Sequence, residues 1–148
     1  MKLVFKKLLQ YYLKYLTKLA LLIHRPTIIA IAGSTNKTFV KEEIVRILKE
    51  KGIEVRSNPK SFNTEIGLPL AILNLSSGYH SYKEWLPIIL KAPFSILRRL
   101  RLSRPHGRNW RNFPLVLVLE FGVSEPGDMK YLLSVVNPKI AIITDITQ

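Results

Sequence analysis

The run Ile28-Ile29-Ala30-Ile31-Ala32-Gly33-Ser34-Thr35-Asn36-Lys37-Thr38 restricts the fold more than any other part of the chain. Its isoleucine-rich start predicts a strand covered on both faces, as in a parallel sheet. Gly33 and the small polar residues after it predict a tight turn, and Lys37-Thr38 opens a helix. A strand that feeds a helix through so short a turn leaves the first helical N–H groups facing an anion. A lysine there adds a point charge, and a hydroxyl can reach Mg²⁺. The strict eight-residue pattern has glycine just before the lysine and again five residues earlier. Asn36 and Ile31 occupy those places here.

At 148 residues the chain is the size of one domain, and its 47% apolar content excludes global disorder. The absence of cysteine excludes disulfides and thiolate metal sites. His24, His80 and His106 are too scattered to form a ligand set. The net charge of +13 is confined to two segments. Residues 1–26 carry six Lys/Arg and no acid, residues 81–112 carry eight and one acid, and the rest is balanced. A polyanionic partner therefore concerns those segments alone.

Residues 2–24 have the pattern of a basic amphipathic helix. Lys2, Lys6, Lys7, Gln10, Lys14, Thr17 and Lys18 gather on one side, and Val4, Phe5, Leu8, Leu9, Tyr12, Leu16, Leu19 and Ile23 on the other. Its lysines exclude a transmembrane span. Two readings stay open: an interfacial helix on anionic lipid, or a helix packed on the domain or on a partner. Pro26 ends it. A helix over 37–51 follows, with Val40, Ile44, Ile47 and Leu48 on one face, then a short strand at Ile53–Arg56 and a polar loop over 57–69. Helices are expected at 68–75, at 82–102 with interruptions at Pro87 and Pro93, and at 127–136. Strands are expected at Leu115–Leu119 and Ile140–Thr144. Strands alternating with helices imply an α/β domain of three layers on a mostly parallel sheet of about four strands, with ligands at the strands' carboxyl ends. The domain division read here is a helix over 1–26 and an α/β unit over 27–148 with a basic insertion at about 80–113.

Three stretches together resemble the Mur ligases of peptidoglycan synthesis. The first is Gly33-Ser34-Thr35-Asn36-Lys37-Thr38 with Lys41-Glu42. The second is Phe62-Asn63-Thr64-Glu65-Ile66-Gly67-Leu68-Pro69. The third is Glu120-Phe121-Gly122 with Pro126-Gly127-Asp128 and Asn137-Pro138-Lys139-Ile140-Ala141-Ile142-Ile143-Thr144. The likeness is greatest to the members that add D-alanyl-D-alanine, and it covers the first part of the family's central ATP-binding domain. On that reading the chain is a truncated ligase whose next motif would lie beyond residue 146.

The resemblance implies a P-loop-type fold and an ATP-dependent carboxylate–amine ligase that adds D-Ala-D-Ala to a UDP-muramoyl tripeptide in the cytoplasm. Its cofactors are ATP and Mg²⁺. It implies nucleotide contacts from Gly33, Ser34, Thr35, Asn36, Lys37 and Thr38, with Lys37 catalytic. It implies metal contacts from Thr38 and Glu120, and substrate contacts from Asn63, Thr64 and Glu65. Each residue has a plainer alternative. Lys37 can be an ordinary first-turn lysine, although the helix dipole disfavours one without an anion nearby. Glu120 can be a paired strand-end acid, and Asn63 a turn residue bonded to its own backbone. Asn36 tolerates positive φ, but its side chain stands where backbone should approach phosphate. A second reading is a non-catalytic, membrane-associated module on a degenerate nucleotide fold, peripheral at the inner face of the membrane. A third is nucleic-acid binding through Arg108, Trp110 and Arg111. No RNA or DNA motif supports it, and a solvated basic loop is the plainer account.

Overall fold

The computed structural model describes residues 3–78, 82–101 and 113–146. Nine elements follow in order among them: α1 (Leu3–His24), β1 (Thr27–Ala32), α2 (Lys37–Glu50), β2 (Val55–Ser57), α3 (Gly67–Leu73), α4 (Tyr82–Arg101), β3 (Val116–Glu120), α5 (Asp128–Val135) and β4 (Ile140–Ile143). The strands form one sheet in the order β2-β3-β1-β4, and every pairing is parallel. The α/β class and the four-strand parallel sheet are as the sequence implied. The arginine-rich stretch from Arg104 to Arg111 lies outside the described residues.

Alternation along the central strands divides the core into two layers. Ile28, Ala30, Leu117 and Leu119 join one large cluster with Leu9 and Leu13 of α1 and Leu68, Leu70 and Ile72 of α3. Ile31, Val118 and Glu120 point the other way, towards α2. One helix therefore covers one face of the sheet, and the opposite face carries the other helices.

Most elements differ from the sequence reading by a residue or two at their ends, and two differences have a clear cause. The second strand begins at Val55 rather than Ile53, because the end of α2 uses the intervening residues. The Ile53 N–H donates to the Leu48 carbonyl at 3.0 Å, and the Gly52 N–H to Lys49 at 2.9 Å. The second difference is that α4 runs unbroken past both prolines. Pro93 has no N–H, so the carbonyl of Ile89 one turn back loses its helical donor. The Tyr12 hydroxyl supplies one at 2.7 Å and thereby fastens α1 to α4. Pro87 lies on the exposed side of the helix.

On the other flank of α1, Lys14 donates to Ser134 at 2.6 Å and sits 5.3 Å from the ring centre of Tyr131. Burial, helped by the charges of Glu65 and Tyr11, pushes the Tyr131 phenol up to about 12. Within the described residues no helix is long and apolar enough to cross a membrane.

Candidate functional site

The loop from Gly33 to Asn36 joins the carboxyl end of β1 to α2, and the end of β4 closes over it. Gly33 has φ 136°, and a Cβ there would collide with Thr144 Oγ1, so only glycine fits. The Ser34 N–H donates to the Asp145 carbonyl. The Thr144 hydroxyl donates to the Thr35 carbonyl at 2.7 Å, and the Thr35 hydroxyl to Asp145 Oδ2 at 3.2 Å. Asn36 is left-handed (φ 59°, ψ 3°) and caps α2 without a side-chain bond to it. Its short polar side chain makes that conformation accessible, so the turn forms with asparagine in place of glycine. Lys37 folds back over the loop, donating to the Gly33 carbonyl at 2.6 Å and the Ser34 carbonyl at 3.0 Å. The first helical bond of α2 runs from the Val40 N–H to the Asn36 carbonyl at 3.0 Å, so the N–H groups of Lys37, Thr38 and Phe39 precede the helical ladder.

Glu120 ends β3 directly beneath α2 and is only 4% exposed. Its Oε2 accepts the Thr38 hydroxyl at 2.9 Å and Lys41 Nζ at 3.0 Å, and its Oε1 accepts Asn63 Nδ2 at 3.4 Å. Burial alone would raise this carboxyl. The bonds from Lys41 and Thr38, the lysine charge and Asn63 outweigh burial and hold it below the ordinary glutamate value. Glu120 is therefore ionised and oriented at neutral pH.

Two residues to which the sequence reading gave no role fix this acid. Lys41, itself 4% exposed, pairs with Glu120 and also donates to the Asn58 carbonyl at 3.1 Å. Asn58, 1% exposed, acts as one further rung of the sheet after β2 ends. Its Oδ1 accepts the Glu120 N–H at 2.8 Å, and its Nδ2 donates to the Glu120 carbonyl at 2.9 Å and to the Phe62 carbonyl at 2.9 Å. One signal was available: Lys41 stands three residues after Thr38, hence on the same helix face.

The structure thus brings together Thr38, Glu120 and Asn63, while Lys37 Nζ lies on the carbonyls of the adjoining loop. Asn63 is pressed against Gly122, where a Cβ would stand 2.7 Å from its side-chain carbon, and the Gly122 N–H donates to the Asn63 carbonyl at 2.8 Å. Thr64 and Glu65 are placed differently. Thr64 is exposed, and its carbonyl accepts the N–H of Leu68 in the first turn of α3 at 2.9 Å. Glu65 lies close enough to act on Tyr131.

Among the described residues no group of three or more His, Asp or Glu could hold a metal on its own. What Thr38 and Glu120 offer is a hydroxyl and a carboxylate, hard oxygen donors side by side at the foot of an anion-binding turn. That set suits Mg²⁺, which takes one or two protein oxygens and completes its shell with phosphate and water. Lys41 already neutralises the carboxylate, so the residues fit an ion that arrives with a nucleotide better than a free one.

No protein-family model matches the chain. It is 31% identical over 120 residues to the UDP-N-acetylmuramoyl-tripeptide–D-alanyl-D-alanine ligase of Buchnera aphidicola subsp. Baizongia pistaciae (strain Bp). The match takes in 81% of this chain and 18% of that enzyme, so the chain spans about a fifth of the length of this relative.

Proposed function

From the premise that the chain is a distant homologue of the Mur ligases, we propose that it binds a magnesium–nucleoside triphosphate at the mouth of the β1–α2 turn. The bond from Thr38 to Glu120 carries this reading. It orients a hydroxyl and an ionised acid towards one point, beside a lysine held on the same loop.

In this reading the N–H groups of the first turn of α2 hold phosphate oxygens. Lys37 exchanges its two loop carbonyls for the β- and γ-phosphates, and Thr38 and Glu120 hold Mg²⁺. The ion, when bound, neutralises charge on the transferring phosphoryl group. Asn63 keeps the outer oxygen of Glu120 in place. The reaction served is the one the family carries out in the cytoplasm. A carboxylate of the UDP-muramoyl tripeptide takes the γ-phosphoryl group, ADP leaves, and the amine of D-Ala-D-Ala then displaces phosphate to form the amide. The described residues serve the triphosphate half of that sequence.

A fluorescent ATP analogue titrated with and without Mg²⁺ tests the proposal. Binding is expected to need the ion, and Lys37→Ala and Glu120→Gln are each expected to weaken it about tenfold or more, the scale of a lost charge-assisted contact. Mg²⁺-independent binding, or binding indifferent to both substitutions, sinks it. One observation favours a second reading, a degenerate and non-catalytic fold: Lys37 and the Ser34 amide are already satisfied within the chain. Absence of any nucleotide binding by the correctly folded chain selects that reading.

A further inference from the structure

Helix α1 has two apolar stripes and the domain covers only one. Leu9, Leu13, Thr17 and Ala20 are buried against the fold. Val4, Leu8, Tyr11, Tyr15, Leu19 and Leu22 form a second line at steps of three and four residues, and they are 47–70% exposed. Helix α4 repeats the arrangement. Trp85, Ile88, Ala92 and Ile96 are buried, while Leu86, Leu90 and Phe94, four residues apart, are 60–69% exposed.

The bond from Tyr12 to Ile89 joins the two helices flank to flank. On α1 the exposed line lies on the solvent side of Tyr12, and on α4 it lies on the solvent side of Ile89. The two stripes therefore border one seam. An exposed apolar surface drawn from two neighbouring helices is far more than the scattered single residues a surface normally carries.

Charge says what covers it. The sequence segments that contain these helices, 1–26 and 81–112, hold the entire net excess of +13. Lys7 and Lys18 are exposed, one step round α1 from its outer stripe. Lys14, by contrast, is used internally on Ser134. A second copy of the chain would bring Lys7 and Lys18 against the same lysines. An anionic surface that also accepts apolar side chains and tyrosines matches both properties at once. We propose that α1 and α4 form a docking face for an anionic lipid bilayer, with the outer stripes entering the headgroup boundary and the lysines pairing with phospholipid phosphates. This proposal does not depend on the nucleotide reading.

The test uses the full chain and sedimentation with vesicles of phosphatidylglycerol and phosphatidylcholine, against phosphatidylcholine alone. Binding is expected only to the anionic vesicles, weaker at high salt but not abolished. Leu8→Ser combined with Leu90→Ser is expected to lower vesicle affinity about tenfold or more, with far-ultraviolet circular dichroism unchanged because both positions are exposed. Tyr15→Trp gives a reporter whose emission is expected to shift to the blue on the anionic vesicles. No sedimentation at low salt overturns the proposal. So does salt-sensitive binding that ignores the Leu8 and Leu90 changes, since that is polyanion binding by the basic segments alone. A dimer in sedimentation velocity that Leu8→Ser dissolves also overturns it, because the face then belongs to a second copy. So does a soluble acidic protein that competes fully with vesicles and binds more tightly.

Discussion

The strands on either side of β1 end in opposite surroundings. β3 is buried along Leu117–Glu120, and its last residue is held by Thr38, Lys41, Asn63 and both ends of the Asn58 amide. β4 is open to solvent, with Ile140 47% and Ile143 65% exposed, and Thr144 and Asp145 just after it bond to the loop. The acid half of the site is therefore part of the core. The loop half is pinned at the sheet edge. Changes at the end of β3 should register as lost stability, and changes at the end of β4 as a displaced loop.

Lys41→Met tests the first half most severely. It leaves Glu120 buried with an uncompensated charge, and the expected cost is about 3–5 kcal/mol in urea denaturation. Adding Glu120→Gln to the same chain should return much of that loss, because the stranded charge is then gone. Ile143→Thr on β4 should stay within about 0.5 kcal/mol, as exposed substitutions do. Similar costs for Lys41→Met and Ile143→Thr would break the contrast between the strands.

Gly33→Ala addresses the second half. The added methyl meets Thr144 Oγ1 in a backbone conformation that alanine disfavours. A loss of about 1–3 kcal/mol is expected, the scale of one strained residue held in place. Relief comes only if Thr144 and Asp145 move away, so fluorescence from a probe at the end of β4 should change with it. An unmoved probe and an unchanged melting curve would mean that the loop and β4 are not coupled as described.

Acid titration separates the two halves by sign. The folded Glu120 carboxyl lies below its ordinary value, so at low pH the unfolded chain binds the extra proton. The stability it contributes is full above the unfolded glutamate pKa of about 4.3. It is lost as pH falls through the folded value. Glu120→Gln should remove this slope, and Thr144→Val should leave it intact. Parallel curves for wild type and Glu120→Gln between pH 5 and the acid limit, roughly pH 2, would deny the acid its buried, paired state.

The legible parts of this molecule are those set by neighbours in sequence. Ile28–Ala32 and Leu115–Leu119 announce buried strands because every residue in them is apolar, and alternation with helices implies the parallel sheet. Asn36 could be read as left-handed because that preference belongs to the residue itself. The strand order could not be read, since pairing is decided by contacts far apart in the chain. Lys41 had a place in the first motif but no role, because its partner stands 79 residues away. Asn58 looked like loop, because the backbone it completes is 62 residues distant. Ile47 was expected on the buried face of α2 and is 45% exposed, the helix having turned Lys41 inward. In α1 one apolar arc reads as one face, and only packing reveals that the domain takes part of it and solvent the rest.

Asn36→Gly is the mildest change and the sharpest for the loop. Glycine reaches the left-handed conformation freely, which favours the turn, but it also widens the unfolded ensemble, so the two effects nearly cancel. Stability should move by only a few tenths of a kcal/mol. The side chain, however, makes no capping bond to α2. Removing it lets backbone approach a phosphate more closely. Nucleotide affinity should therefore rise while stability stays level, and Thr38–Glu120 geometry should be untouched because it rests on the β3 side. If affinity falls instead, Asn36 is itself a phosphate contact, and the loop half of the site owes its anion binding to a side chain rather than to backbone.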